Sequence, residues 1–401
     1  MVVVQILLWF LAAAAFILAT DGMLTAAGRL KPGIHLVSAD TEYSYAVLVP
    51  IYGNTKYLTN IDALAVYTRH ITLVTTTTET AEFYADLHTI AAAHHFGILQ
   101  IPIETANTVD TTSQRGTTVP IRDQIIAGAI RVIDTDYVIC IDADTTPQNS
   151  FDDLIATMSC GNIDVASVVL APSGQDSLLE RLQVVEYTLA MRTRRVWNWL
   201  LSGGCHAATT TAYRDIMDHH STFFQGNDVE AGLLAQQLGY RCGHILFTAR
   251  TDTPARCRDW WRQRYAWAGG EFRLLVINAA TVIGHPLFFC YGTIFVMAMW
   301  VLRVLTVITH PAIVAVVYLL YAIILAVLTA GVAPVGRTRR RITDTAVVVA
   351  VFPLYALVSS LILVGLSPVS YGYQAITHRN IGRIGVRNSS TPETRAPERS
   401  S

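Results

Sequence analysis

The stretch DYVICIDADTTP, residues 136–147, decides which fold this chain adopts. Five residues suited to a buried strand, 137–141, lead directly into two aspartates that are separated by one alanine. Residues i and i+2 of a strand point to the same face, so Asp142 and Asp144 can converge on one ligand. One or two carboxylates together with substrate phosphates commonly hold Mg²⁺ or Mn²⁺. The alternative is a solvated turn in which an aspartate caps a helix, and the motif alone leaves both readings open.

Segments with strand and helix patterns alternate before this stretch. Strands are predicted at 45–49, 71–75, 97–103 and 137–141, and helices at 61–67, 80–95 and 122–133. This alternation predicts an α/β fold with a mostly parallel sheet. Ligands of such sheets bind beyond the carboxyl ends of the strands, which is where Asp142 and Asp144 stand.

The composition indicates a membrane protein with a soluble part. Of 401 residues, 52% are hydrophobic and 15% charged, and the mean hydropathy is +0.39. A net charge of -1 gives no indication of nucleic-acid binding, so no nucleic-acid partner is expected. The six cysteines form no CxxC pair and are interpreted as reduced thiols rather than as disulfides or a zinc site.

Apolar segments near both ends predict membrane helices. Residues 2–19 are almost wholly apolar, and the basic residues Arg29 and Lys31 follow them. This order favours an uncleaved anchor whose carboxyl end is cytosolic over a cleaved signal peptide. Three further apolar stretches occupy 286–308, 311–333 and 345–366, and an arginine cluster at 336–341 marks a cytosolic loop.

These segments predict four regions. They are an N-terminal transmembrane anchor at 1–22, a cytosolic domain with an interfacial helix at its end at 40–275, a C-terminal transmembrane region at 280–370 and a cytosolic, partly disordered tail at 371–401. The stretch 345–366 is expected to re-enter the membrane or to bend at Pro353, which keeps the tail in the cytosol. The expected location is therefore the cell membrane, with several crossings and with membrane lipids as partners.

Other motifs allow two readings each. The glycines of LSGGCHAATTTAYRD, 201–215, suit either a tight turn or the close approach of a bulky ligand. Asp228 in GNDVE, 226–230, is either a helix cap or a proton acceptor for a hydroxyl group. The Arg- and Trp-rich segment 251–272 is either an interfacial helix or a site for a diphosphate and a sugar ring. The charged residues of the predicted helix 177–200 are interpreted as a solvated outer face; they include Glu186, Arg192, Arg194 and Arg195.

The motifs taken in order resemble a known family. They are VPIYGN (49–54), IDADT (141–145), SGG (202–204), GNDVE (226–230), TDTP (251–254) and RQRYAW (262–267), followed by apolar segments. Between about residues 45 and 387 the chain resembles membrane-integrated family 2 glycosyltransferases of the polysaccharide synthase kind, such as hyaluronan, type 3 capsule, chitin-oligosaccharide and cellulose synthases. The resemblance implies a GT-A-type catalytic domain that transfers sugar from a UDP-sugar with inversion, using Mg²⁺ or Mn²⁺.

The resemblance also implies roles for individual residues. Asp228 would be the general base, and Asp144 would bind the metal. The nucleotide sugar would be bound by Pro50, Ile51, Glu79, Arg122, Asp142, Gln263 and Arg264. The acceptor would be bound by Gly203, Gly204, Cys205 and Trp267.

Two positions depart from the family pattern. The early carboxylate of the family would fall within 75–78, where the sequence is TTTT, so Glu79 is expected to replace it. The arginine of the family's QxxRW motif is Ala266, and Arg262 or Arg264 is expected to supply its charge.

The leading interpretation is extension of a cell-surface polysaccharide. The alternative is transfer of a single sugar to a polyprenyl phosphate or to another lipid or protein acceptor. A third reading, from another class, is a non-catalytic sugar sensor or assembly partner. Few membrane helices are predicted for a complete channel, so a homo-oligomer is one expected arrangement.

Overall fold

The computed structural model of this protein describes residues 2–38, 43–103, 121–220, 227–277, 300–330 and 339–377. At the centre of these residues lies an eight-stranded sheet. Its strands are β1 Tyr45–Pro50, β2 Ile71–Thr76, β3 Gly97–Ile101, β4 Tyr137–Ile141, β5 Thr145–Pro147, β6 Val165–Pro172, β7 Cys205–Thr209 and β8 Cys242–Thr251. Their order across the sheet is β3-β2-β1-β4-β7-β6-β8-β5. Strands β3, β2, β1 and β4 are parallel, β6 is parallel to β8, and β7 and β5 are antiparallel to their neighbours. The predicted α/β fold with a mostly parallel sheet is confirmed.

Helices cover both faces of the sheet and continue toward the carboxyl end of the chain. They are α1 Val2–Leu30, α2 Ile61–Leu64, α3 Ala81–His94, α4 Ile121–Val132, α5 Phe151–Cys160, α6 Leu178–Val196, α7 Thr210–His219, α8 Asn227–Gln237, α9 Cys257–Ile277, α10 Trp300–Thr309, α11 Pro311–Ala330, α12 Arg339–Ser360 and α13 Ser367–Thr377. Side-chain caps explain several starts: Thr80, Ser150 and Thr209 accept from backbone N–H groups of α3, α5 and α7.

Two predicted helices are shorter in the structure. The helix expected at 61–67 is α2 followed by a 3₁₀ segment, Ala65–His70, within which Tyr67 leaves the helical region at φ -108° and ψ 18°. Branched and aromatic residues here favour helix weakly. The helix expected at 177–200 begins with a capping box between Ser177 and Glu180 and ends at Val196, because Trp197 adopts non-helical angles.

Apolar side chains fill both sides of the sheet. Strands β1 and β4 are buried along their whole length, which is why they read as continuous apolar runs. One core joins these strands to α5 and β8 through stacked rings of Phe151 and Phe247. The second core joins them to α4, α7 and α8. The carboxyl end of β4 is therefore held from both sides, which gives the aspartates that follow it a rigid base.

Two stretches among the described residues, Pro311–Ala330 and Thr345–Gly365, are long and apolar enough to cross a membrane. They agree with the predicted stretches 311–333 and 345–366, and α12 continues through Pro353 into a π-helix, Leu361–Gly365. Of the stretch 286–308, residues 286–299 lie outside the described residues. The predicted anchor 1–22 lies within α1, which is not one of the two stretches, and residues 378–401 of the predicted tail are also outside the described ranges.

Candidate active site

The two aspartates follow β4 in a turn that is clamped by a buried asparagine. Asn60 is 1% exposed, and its Nδ2 donates hydrogen bonds to the carbonyl oxygens of Asp142, at 3.0 Å, and Thr145, at 2.7 Å. The backbone N–H of Asp142 donates to the carbonyl oxygen of Gly204 at 2.9 Å. These hydrogen bonds restrain the backbone at both ends of the short turn that carries the two carboxylates.

Arg122 connects the aspartates to the glycine turn. From the first turn of α4, its Nε donates to Asp142 Oδ1 at 2.7 Å and its Nη2 donates to the carbonyl oxygen of Gly203 at 2.7 Å. Its Nη1 donates to Asp123 Oδ1 at 3.2 Å, and Asp123 is itself buried. The planar guanidinium thus fixes three groups at once, which a lysine ammonium would not do with the same geometry.

Asp228 in the first turn of α8 lies against the same glycine. A Cβ atom at Gly203 would be 3.2 Å from Asp228 Oδ2, so any larger residue there would crowd the carboxylate. Burial raises the pKa of Asp228, and the nearby guanidinium groups of Arg194 and Arg122 partly offset that rise. The structure therefore brings together Arg122, Asp142, Gly203 and Asp228, four of the predicted site residues.

Asp144 has the features of a ligand for a hard cation. Its side chain is exposed to solvent, and its Oδ1 accepts a hydrogen bond from Thr145 Oγ1 at 3.2 Å. Partial loss of hydration in the turn, followed by repulsion from Asp142, raises the pKa of Asp144 to about 6, with Asp252 adding to the effect. A cation would relieve this repulsion. Within the described ranges, no group of three or more His, Cys, Asp or Glu residues could hold a metal ion.

The predicted donor residues of β1 and β2 lie on the same side of the site. Pro50 ends β1, and Ile51 is 2% exposed, with its N–H donating to the carbonyl oxygen of Val74. The next residue, Tyr52, was not predicted as a site residue. Burial raises the pKa of its hydroxyl, and Arg122, Asp142, Asp123 and Glu79 act on it electrostatically.

Thr75, where a family carboxylate was expected, is 0% exposed at the end of β2. A carboxylate at this position would be buried. Glu79 lies at the half-buried end of the loop after β2, and its Oε1 accepts a 3.4 Å hydrogen bond from Thr76 Oγ1. Its placement suits the replacement role that the sequence suggested, which stays a prediction.

The predicted residues of α9 form a second cluster around Glu186 of α6. Arg264 is 3% exposed and forms an ion pair with Glu186, which also accepts a hydrogen bond from Tyr355 Oη at 2.6 Å. The Arg264 guanidinium stacks on Trp267 with 4.6 Å between Cζ and the ring centroid. Gln263 Oε1 is buried with no hydrogen-bond partner among the described residues. The hydrogen bonds and ion pair described for Arg264 thus go to α6 and α12, and none goes to the β4 aspartates.

Cys205 is 0% exposed in β7, opposite Ile141, so its side chain packs in the core, and its role at the acceptor stays a prediction. One expectation needs correction. The charged residues of α6 are not a plain outer face, since Glu186 is paired with Arg264 and Arg194 acts on Asp228. Asn60 and Arg194 carried no local sequence signal, whereas Tyr52 could have been found from its place beside Ile51.

A comparison with protein families matched one family model. Residues 137–333 match the family model described as glycosyl transferase family group 2, a segment that includes the β4 aspartates, the glycine turn and Asp228. Over these residues, just under half of its length, the chain is similar to that family. A comparison with curated proteins found no match.

The solved structures that match this chain are distant from it in sequence. The mannosyltransferase PcManGT from Pyrobaculum calidifontis, in complex with GDP-Man and Mn²⁺, is 17% identical, with 92% of this chain and 95% of that chain covered and a TM-score of 0.44. Glucosyl-3-phosphoglycerate synthase from Mycobacterium tuberculosis, in complex with Mn²⁺, UDP and phosphoglyceric acid, is 10% identical, with 59% and 84% covered and a TM-score of 0.38.

Proposed function

We propose that this protein is a metal-dependent, inverting glycosyltransferase that uses a UDP-sugar as donor. The proposal rests mainly on the hydrogen bonds that Arg122 donates to Asp142 Oδ1 and to the carbonyl oxygen of Gly203. They connect the turn that carries Asp142 and Asp144 to the glycine that lies against Asp228. The oxygen of an acceptor hydroxyl beside Asp228 would bond to the anomeric carbon of the donor as its bond to UDP breaks, and Asp228 would take the hydroxyl proton. Inversion follows from a single in-line displacement at the anomeric carbon.

Asp228 is suited to accept the proton of the acceptor hydroxyl. Burial raises its pKa, which makes its carboxylate a stronger base than an exposed aspartate. Arg194 and Arg122 act against that rise and so keep the ionised form accessible. The absence of a side chain on Gly203 leaves room beside Oδ2 for the acceptor oxygen.

Asp144 and Asp142 are proposed to hold Mg²⁺ or Mn²⁺ together with the donor diphosphate. When bound, the cation supplies positive charge that stabilises the departing UDP. Arg122 orients Asp142 through its short Nε contact, and Asn60 holds the turn, so these residues pre-organise the site. Glu79 and Tyr52 are proposed to border the nucleotide pocket, while Gly204 allows close approach of the acceptor.

The proposed acceptor is a growing cell-surface polysaccharide, and the second candidate is a polyprenyl phosphate or another lipid or protein acceptor. The pairing of Arg264 with Glu186 favours the second candidate, because that arginine is then less available to replace Ala266 at the leaving group. In both cases we propose a multi-pass membrane protein with residues 40–275 in the cytosol, where UDP-sugars are found, and with membrane lipids around 280–370. A homo-oligomer would supply the additional helices that a polysaccharide channel requires.

The first test is release of UDP by the detergent-purified protein with Mn²⁺ or Mg²⁺ and a panel of UDP- and GDP-sugars. Asp144→Asn and Asp228→Asn should each lower the rate by about 10²–10³-fold, because one removes a metal ligand and the other the base. Asp134→Asn, in the exposed turn before β4, is the matched control and should leave the rate unchanged. Full activity in both site variants would contradict the proposal, and the size of the product would separate polymer from single transfer.

A further inference from the structure

A cavity of about 360 Å³ lies between β6, α6, β8 and the end of α1, and four arginines line it. They are Arg29, Arg192, Arg195 and Arg250, and no aspartate or glutamate is among the lining residues. Ser173 and Thr188 also line the cavity, and their hydroxyl groups donate to Asp252 Oδ1 and to the carbonyl oxygen of Val184. The wall is therefore strongly positive, with guanidinium N–H groups as its donors. The lining residues do not include Asp142, Asp144 or Asp228, although Arg250 of the lining stands opposite Thr146, two residues from Asp144.

Packing of three elements brings these arginines together. Helix α1 lies so close to α6 that a Cβ atom at Gly28 would be 2.0 Å from the carbonyl oxygen of Arg192, which sets Arg29 beside the same turn. Arg192 and Arg195 are three residues apart and share one face of α6. Arg250 reaches the cavity from β8, where it stands opposite Ala171 of β6. The convergence depends on contacts between distant parts of the chain.

Burial and mutual repulsion act on the guanidinium groups of the cavity, and a bound anion would reduce this repulsion. Burial lowers the pKa of the Arg192 guanidinium, and the positive charges of Arg29 and Arg195 lower it further. Arg195 Nε is buried and has no hydrogen-bond partner within the described parts of the chain. A buried donor without a partner costs free energy, and a negatively charged oxygen is the acceptor that binds it best.

We propose that this cavity binds a phosphate group, carried by a lipid or free in solution. Several guanidinium groups match the oxygens of a phosphate monoester, because arginine donates paired hydrogen bonds to such groups. Arg29 stands in the last turn of α1, and α1 packs against α11, one of the two helices apolar enough to cross a membrane. This position favours the headgroup of a membrane lipid, with Val169, Val184 and Met191 as the apolar part of the wall.

The test is equilibrium binding of two probes to the full-length protein in detergent: phosphatidic acid and inorganic phosphate. The variant pair Arg192→Gln/Arg195→Gln should weaken binding of phosphatidic acid by about tenfold or more, because at least two charge-assisted hydrogen bonds are lost. Glutamine is tolerated in helices, and the exposed pair Arg29→Gln/Arg250→Gln is a second variant that leaves α6 intact. The control pair Arg131→Gln/Arg241→Gln removes the same charge from exposed positions outside the cavity and should bind as the unsubstituted protein does.

The two probes distinguish the source of the phosphate. Binding of phosphatidic acid that inorganic phosphate does not displace identifies a lipid headgroup, and displacement by millimolar phosphate identifies a soluble ligand. The proposal is overturned if neither probe binds, or if both cavity pairs bind as tightly as the control pair. UDP release measured on the same preparations keeps this outcome separate from a failure of the donor site.

Discussion

Individual residues far from each other in sequence hold the β4 turn. Asn60 acts from before α2, Arg122 from α4 and Gly204 from before β7, and all three bond to Asp142. Each contact restrains a different atom: the carbonyl oxygen, a carboxylate oxygen and the backbone N–H. The direction of the Asp142 carboxylate is therefore decided by the surrounding bonds and not by the DxD motif alone.

Asn60→Ala should lower the free energy of unfolding by about 1–3 kcal/mol, because the carbonyl oxygens of Asp142 and Thr145 would lose their buried donor. It should also weaken Mn²⁺ binding, since the turn would be free to shift. Denaturant unfolding and Mn²⁺ titration measure the two effects. Asn54→Ala is the control, because its capping bond to Lys56 N lies at the surface. Equal effects of the two substitutions would show that Asn60 has no special role in the turn.

Helix α6 contributes charged side chains to three regions of the molecule. Its Arg194 acts on Asp228, its Glu186 pairs with Arg264 of α9, and its Arg192 and Arg195 line the arginine cavity. The sequence pattern of α6 is that of an ordinary amphipathic helix, because charged and apolar residues alternate with helical spacing. Its polar face is enclosed by α1, α9 and α12, none of which is adjacent to it along the chain.

Gly28→Ala tests the contact of α1 with α6. The added Cβ would meet the Arg192 carbonyl carbon and oxygen at 2.5 Å and 2.0 Å, so the helices must separate. Overpacking of this kind costs about 1–3 kcal/mol, which a lower melting temperature would report. Gly372→Ala in α13 is the control, because nothing lies within 4 Å of its added Cβ, and alanine favours helix. An unchanged melting temperature for Gly28→Ala would argue against this close packing.

Across the whole molecule, a line of buried polar groups runs through the sheet. His206 Nε2 of β7 lies 2.8 Å from Tyr213 Oη. Ser167 Oγ lies 3.1 Å from Ser202 Oγ and 3.4 Å from His244 Nδ1 of β8. Burial lowers the pKa of both histidines to about 3 from the ordinary 6.5, and nearby arginines add to the shift. Both imidazoles are therefore neutral in the folded protein at neutral pH.

Acid should destabilise the fold through these histidines. Between pH 6.5 and the folded-state pKa near 3, these histidines are protonated in the unfolded chain but neutral in the folded chain. The free energy of unfolding therefore decreases as the pH is lowered through this range. Each histidine contributes a slope of up to about 1.4 kcal/mol per pH unit. Melting temperatures at pH 7.5 and 5.5 should differ less in His244→Gln than in the unsubstituted protein. His88→Gln, at an exposed position of α3, should leave the difference unchanged. A pH dependence that His244→Gln does not reduce would contradict this account.

The strands before Asp142, the mostly parallel α/β class and the DxD turn could be predicted from the amino-acid sequence. These features depend on local patterns, since a run of buried residues that ends in carboxylates is visible without knowing its neighbours. The two apolar stretches that are long enough for a membrane could be predicted as well, because length and hydropathy are properties of the segment alone.

The contacts between polar side chains could be identified only from the tertiary structure. The pairing of Arg264 with Glu186, the burial of Cys205 and the convergence of four arginines on one cavity join segments separated by tens of residues. Hydrogen bonds and ion pairs act over a few ångströms and leave no periodic trace in the chain, so their partners appear only when the sheet and helices have packed. The same reason explains why Asp228 was recognised by its motif, while Arg194 and Asn60 became visible only through their contacts.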